Sequence, residues 1–163
     1  MTETTAAGSP AGTTEPIEAE VRIEAPMERV WDVITQAEHV GTWFADAGGE
    51  VDLRPGGAMT LRWAEYGTYR ARIDVVEPPT RLVVRWSEAP DVEPEPGNQT
   101  QIEFTLRADG DATLLRVVES GFDTLEMSAE RRAEHRAGNV EGWQQELGEL
   151  TRYVAGLSAD AQP

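Results

Sequence analysis

Ile17, Ala19, Val21 and Ile23 are apolar, and Glu18, Glu20, Arg22 and Glu24 between them are charged. A period of two is what a strand with one buried face requires, so the folded region opens on a strand. The period then changes. Met27, Val30, Trp31 and Ile34 fall at i, i+3, i+4 and i+7 behind Pro26, whose missing N–H a first helical turn tolerates, and Glu28 suits the positive end of a helix. A short helix follows, and a second is predicted over residues 39–44. Gly48-Gly49 opens a strand over residues 50–54, Pro55-Gly56-Gly57 reads as a hairpin turn, and Met59, Leu61 and Trp63 alternate with Thr60, Arg62 and Ala64. The alternation continues. Tyr69, Ala71, Ile73 and Val75 share one face; so do Leu82, Val84 and Trp86 after Pro78-Pro79, and Ile102, Phe104 and Leu106 further on. The last strand is predicted over residues 113–119.

Residues 88–98 contain three Pro and four acidic residues and read as a mobile loop or a lid. After the last strand, Ser128 is a good N-cap with Glu130 in the first turn. The helix it starts is predicted to run to about Leu157, roughly 45 Å at 1.5 Å per residue, with an apolar stripe of Trp143, Leu147, Leu150, Val154 and Leu157. Gly138 and Gly142 each cost such a helix about 1 kcal/mol relative to Ala, which predicts a bend or a close backbone approach there. One strand, two short helices, six strands in an antiparallel meander and a long helix make an α+β architecture. The sheet must curve around the last helix.

At 163 residues the chain suits one domain with a single core. The domain is expected over residues 17–157, with a disordered N-terminal tail at 1–16 and a short C-terminal tail at 158–163. Zero Cys excludes disulfides, thiolate zinc sites and a Cys nucleophile. No apolar run near 20 residues exists to span a membrane, and the start of the chain lacks the basic and apolar regions of a signal peptide, so the cytoplasm is the expected location. The formal charge of −16 repels phosphate backbones and anionic headgroups, which argues against nucleic-acid and membrane-surface partners. All 14 basic residues are Arg, which removes Schiff-base chemistry and a P-loop lysine.

Few residues are candidates for chemistry. Strand parity from Thr113, Leu115 and Val117 puts Glu119 on the buried face, where a carboxylate needs partners. It is a candidate general acid or base, or an anchor for a polar ligand group. Its structural alternative is pairing with an Arg or capping of backbone N–H groups at the Gly121-Phe122 turn. His135, Asn139 and Trp143 succeed one another at i, i+4 and i+8 on one helical face, toward a pocket mouth. Trp43, Phe44, Trp63, Tyr69 and Trp143 are the aromatic candidates for lining a cavity, whereas Trp31 and Trp86 are expected in the core. His39 precedes the Trp43-Phe44 pair. The two His residues have no metal-ligand spacing and the acidic loop has no EF-hand spacing, so neither a metal nor a cofactor is expected.

Several segments together resemble a known superfamily: Ala25-Pro26-Met27-Glu28-Arg29-Val30-Trp31-Asp32-Val33-Ile34, then Trp43-Phe44, then Val118-Glu119-Ser120-Gly121-Phe122, then Asn-Val-Glu-Gly-Trp-Gln-Gln-Glu-Leu-Gly-Glu-Leu at residues 139–150. Their order is similar to the START-like (SRPBCC, helix-grip) superfamily, in the branch named after the activator of the heat-shock-protein-90 ATPase. The resemblance runs from about Ile17 to Leu157. It implies a curved antiparallel sheet wrapped around the C-terminal helix, with an apolar cavity between them. In relatives the position of Glu119 is often Glu or His followed by Ser-Gly-Phe.

Three functions follow from pocket and resemblance together. The first is noncatalytic binding of a small apolar or aromatic molecule in the cavity, which the inward aromatics favour. The second is a polyketide cyclase or aromatase-like enzyme that would use Glu119 and Tyr69 in the same cavity. The third is a chaperone-regulating interaction module; the chain shows neither the additional N-terminal domain of those activators nor a docking motif, and no protein partner is identified. Fold resemblance does not choose among them.

Overall fold

The computed structural model describes residues 5–6 and 13–161, with side chains from residue 13 to residue 157. Strands β1 (Thr5–Ala6) and β2 (Ile17–Ile23) precede helices α1 (Met27–Thr35) and α2 (Ala37–Trp43). Six strands follow: β3 (Gly49–Val51), β4 (Ala58–Trp63), β5 (Gly67–Glu77), β6 (Arg81–Ser87), β7 (Gln99–Asp109) and β8 (Ala112–Ser120). A 3-10 turn at Phe122–Thr124 leads into α3 (Ala129–Ala161). All pairings are antiparallel, in the order β1-β2-β8-β7-β6-β5-β4-β3. The meander is thus continued by β2, which lies against β8 because the two short helices separate it from β3. Opposed inward residues form rows across the sheet, Ile17 facing Glu119 and Glu119 facing Ile102.

Burial follows the predicted parity. Residues of β2 alternate strictly between buried and exposed. Val30, Trp31 and Ile34 of α1 are buried, as are Trp143, Leu147, Leu150 and Val154 along α3. Packed apolar side chains from the sheet, α1, α2 and α3 form one core. Ser128 caps α3 as its sequence position predicts, its Oγ accepting the Arg131 N–H at 3.2 Å. The helix continues to Ala161, past the expected end. No helix among the described residues is long and apolar enough to cross a membrane.

One expectation needs correction. The shared face of β5 does not include Val75. A register shift between Ile73 and Val75 reverses the parity, so Val76, opposite Leu82, packs on the core. A bulge of this kind adds one residue to one strand, and period-two reading cannot detect it. The acidic loop at residues 88–98 is folded onto itself and onto β5. The Asn98 side chain accepts the Glu95 N–H at 2.8 Å and donates to the Glu93 carbonyl at 3.0 Å, while Asp91 N–H donates to the Thr68 carbonyl.

The expected N-terminal tail lies largely outside the described residues. Within them, Thr5–Ala6 pairs with Glu20 and Ala19 of β2. The buried Arg136 of α3 donates to the Glu15 carbonyl at 2.5 Å and to the Pro16 carbonyl at 3.3 Å, which ties the entry of β2 to the helix.

Candidate ligand cavity

A cavity of about 550 Å³ lies between the inner face of the sheet, the end of α2 and the first half of α3. Its aromatic wall is a connected set of rings centred on Phe44. Phe44 stacks with Trp86 and with Trp143, each at a centroid distance of 5.8 Å, and meets Trp63 edge-on at 5.5 Å. Tyr69 closes the row, 5.5 Å from Trp63. Such arrangements add roughly 0.5–1.5 kcal/mol per pair beyond their buried area and hold the wall in one shape. The Trp63 indole N–H donates to the Phe44 carbonyl at 3.0 Å, fastening β4 to the end of α2.

Trp43 does not line this cavity, although its position beside Phe44 suggested that it would. Consecutive helical residues point about 100° apart, so when Phe44 faces the cavity Trp43 turns into the core. There its N–H donates to the Val33 carbonyl at 2.8 Å, and it borders a void of about 20 Å³ behind the aromatic wall. Trp86, expected in the core, borders both spaces.

Glu119 is fully buried at the inner end of the cavity. Thr100 Oγ1 donates to its Oε2 at 2.6 Å, Trp143 Nε1 donates to Oε1 at 2.8 Å, and the Asn139 amide lies 3.1 Å from both oxygens. These contacts match the roughly four lone-pair positions of a carboxylate. Neither structural alternative expected for Glu119 describes it. Its partners here are neutral side-chain donors from β7 and α3, not an Arg or the Gly121-Phe122 turn. The i, i+4 spacing of Asn139 and Trp143 brings both donors onto one face, as the helix period required. Gly121, with φ +98°, then ends β8 and turns the chain toward α3.

His135 stands one turn before Asn139 and lines the cavity, its ring 6.1 Å from that of Phe122. His39 is not part of the lining; its Nδ1 lies 2.7 Å from the Tyr153 hydroxyl. Burial, then the negative charge of Glu88 and then Tyr66 raise the Tyr69 phenol above its ordinary pKa, so its hydroxyl remains a donor at neutral pH. No group of three or more His or carboxylate side chains among the described residues is placed to hold a metal ion.

The close backbone approach, one of the two expectations for the glycines of α3, is absent. A Cβ at Gly138 or Gly142 would meet nothing within 4 Å, so neither close approach nor clash explains them. Both line the cavity, and the absence of side chains there keeps space open against the helix.

One further residue on that ridge, Glu146, escaped sequence reasoning. It lines the cavity one turn after Gly142, and its Oε2 is buried without a hydrogen-bond partner. Burial, followed by the charges of Glu149 and Asp46, pushes its carboxyl up to about 7. Continuing the i, i+4 series from Gly138 through Gly142 would have pointed to it.

A curved antiparallel sheet gripping a long C-terminal helix across an aromatic cavity defines a START-like, helix-grip domain. Residues 24–155 match the family model described as activator of Hsp90 ATPase homolog 1-like protein, and the chain belongs to that family. No curated protein matches it. Among solved structures it is similar to CalU16 from Micromonospora echinospora, with 25% identity, a TM-score of 0.67, and coverage of 98% of this chain and 90% of that one. DynU16, a protein of the dynemicin biosynthetic locus, has 25% identity and a TM-score of 0.67 over 88% of this chain, which spans only 48% of DynU16. MLL2253 from Mesorhizobium loti shares the fold at 23% identity and a TM-score of 0.71, over 91% of this chain and 99% of that one.

Proposed function

We propose that this domain binds a small apolar or aromatic molecule in the cavity and does not transform it. The carrying observation is a space of about 550 Å³ walled by Phe44, Trp63, Trp86 and Trp143, whose deepest carboxylate, Glu119, has its acceptor positions already engaged. A carboxylate so committed is a poor general base, and it serves instead to fix Trp143 and Asn139 in the wall. Glu119, Asn139, Trp143, Phe44, Trp63, Tyr69 and His135 are then the ligand-facing set, and Trp43 supports Phe44 from behind. Similarity to a protein of the dynemicin biosynthetic locus favours a small organic guest over a protein partner.

The neutral fluorescent probe N-phenyl-1-naphthylamine tests this reading. Its emission should rise saturably with wild-type protein, and the rise should be lost in Gly142→Leu, whose side chain enters the open space beside α3 while leaving the circular dichroism spectrum intact. Absence of saturation, or equal binding by the plugged variant, would overturn it.

A second reading, acid/base catalysis in the same cavity, is favoured by Glu146, because a carboxyl near 7 exchanges protons readily at neutral pH. Ligands that co-purify with the protein, identified by native mass spectrometry and incubated with fresh protein, separate the two. Unchanged mass supports binding, and a product lost in Glu146→Gln supports catalysis.

A further inference from the structure

The cavity wall is aromatic and acidic at once. It carries the carboxylates of Glu88, Glu119, Glu134 and Glu146, and none of the arginines lines it among the described residues; the chain has no Lys. The carboxylates are not equivalent. Glu119 is saturated by its donors, Glu134 is exposed at the rim, and Glu146 keeps a buried Oε2 with no partner. Glu88 stands near enough to Tyr69 to act on its phenol.

Each class of guest meets this wall differently. An anion would face concentrated negative charge in a partly desolvated site, where repulsion is poorly screened. A neutral apolar guest would desolvate the rest of the Glu146 carboxyl and bring it no donor, and an unsatisfied buried acceptor is costly. An ammonium group brings donors and an opposite charge to the Glu146 carboxyl, and the half-buried indoles of Trp63 and Trp86 attract a cation within about 6 Å of an open ring face. Glu146 and these indoles line the same space.

We propose that the guest of this cavity is a cationic amine carried on an aromatic or other apolar body, with its ammonium group seated against Glu146 and the indole faces. The assignment rests on the cavity being a ligand pocket, and three probes of nearly equal shape separate its failure from the failure of that reading. Tryptamine, 3-propylindole and indole-3-propionate are cationic, neutral and anionic at pH 8, and each is titrated as a competitor of bound N-phenyl-1-naphthylamine. Tryptamine should compete about tenfold more tightly than 3-propylindole, with indole-3-propionate weakest. Glu146→Gln should bring tryptamine to within about threefold of 3-propylindole measured on the same variant. If N-phenyl-1-naphthylamine binds but tryptamine has no advantage, or keeps its full advantage in Glu146→Gln, the cationic assignment is overturned and the pocket stands. If N-phenyl-1-naphthylamine itself fails to bind, both fall.

Discussion

Thr100, Asn139 and Trp143 reach Glu119 from one strand and from two successive turns of α3, so a single carboxylate ties the sheet to the helix. Replacing it by Gln keeps the volume but converts one acceptor into a donor. The new amide N–H groups then face the Asn139 amide N–H groups, and a buried donor loses its partner. Glu119→Gln should therefore cost about 1–3 kcal/mol, read as a lower urea midpoint with an unchanged slope. A midpoint equal to the wild type would mean that the cluster does not hold the helix. The inward position of Glu119 and the common face of Asn139 and Trp143 were legible, because strand and helix periods fix directions. Thr100 was not, since its meeting with Glu119 depends on the register of β7 against β8. Glu146 could be placed by continuing the i, i+4 series from Gly138, but its burial without a partner depends on packing that no local pattern encodes.

At the scale of elements, α3 gives up intrinsic stability where it borders the cavity. Gly138 and Gly142 lie inside a 33-residue helix, and added methyl groups would meet open space. Replacing both by Ala should raise stability by about 1–2 kcal/mol in total through helix propensity alone. The melting temperature should then rise by about 2–4 °C for each kcal/mol. N-Phenyl-1-naphthylamine should bind no more tightly, because the methyls narrow the space. Thermal melts followed by circular dichroism provide the check, and an unchanged or lower melting temperature would mean that these glycines answer a backbone need. The identity and order of β2 to β8 and of the three α-helices were readable because alternation in the strands and the i, i+3, i+4 pattern in α1 and α3 are strong signals. The Val75-to-Val76 exchange on β5 was not, because one extra residue at a bulge leaves the local composition unchanged. The glycines were visible as anomalies, but their purpose required knowing which side of the helix faces the cavity.

Across the whole molecule, 30 acidic residues outnumber 14 arginines. Pairs such as Arg85 with Asp74 and Arg81 with Glu103 link neighbouring strands on the sheet. Such partly exposed pairs contribute only about 0–1 kcal/mol each. Glu146 adds a response to pH that can be isolated, because its carboxyl is held at about 7 in the folded protein against an ordinary value of 4.5. Below about pH 4.5 both the folded and the unfolded states carry its proton. Between about 4.5 and 7 the unfolded carboxyl ionises while the folded one retains its proton, so the unfolded state is favoured progressively as pH rises. Above about 7 the deficit is constant. The side chain is only partly buried, and solvent screening reduces the effect to about 1 kcal/mol. Glu146→Gln removes this term without removing volume. Its melting temperature should match the wild type at pH 4 and exceed it by roughly 2–4 °C at pH 8. Taking the difference between the two proteins at each pH cancels the titration of all the other acids. A gap that is already open at pH 4, or absent at pH 8, would show that the Glu146 carboxylate is not penalised by its surroundings in the fold.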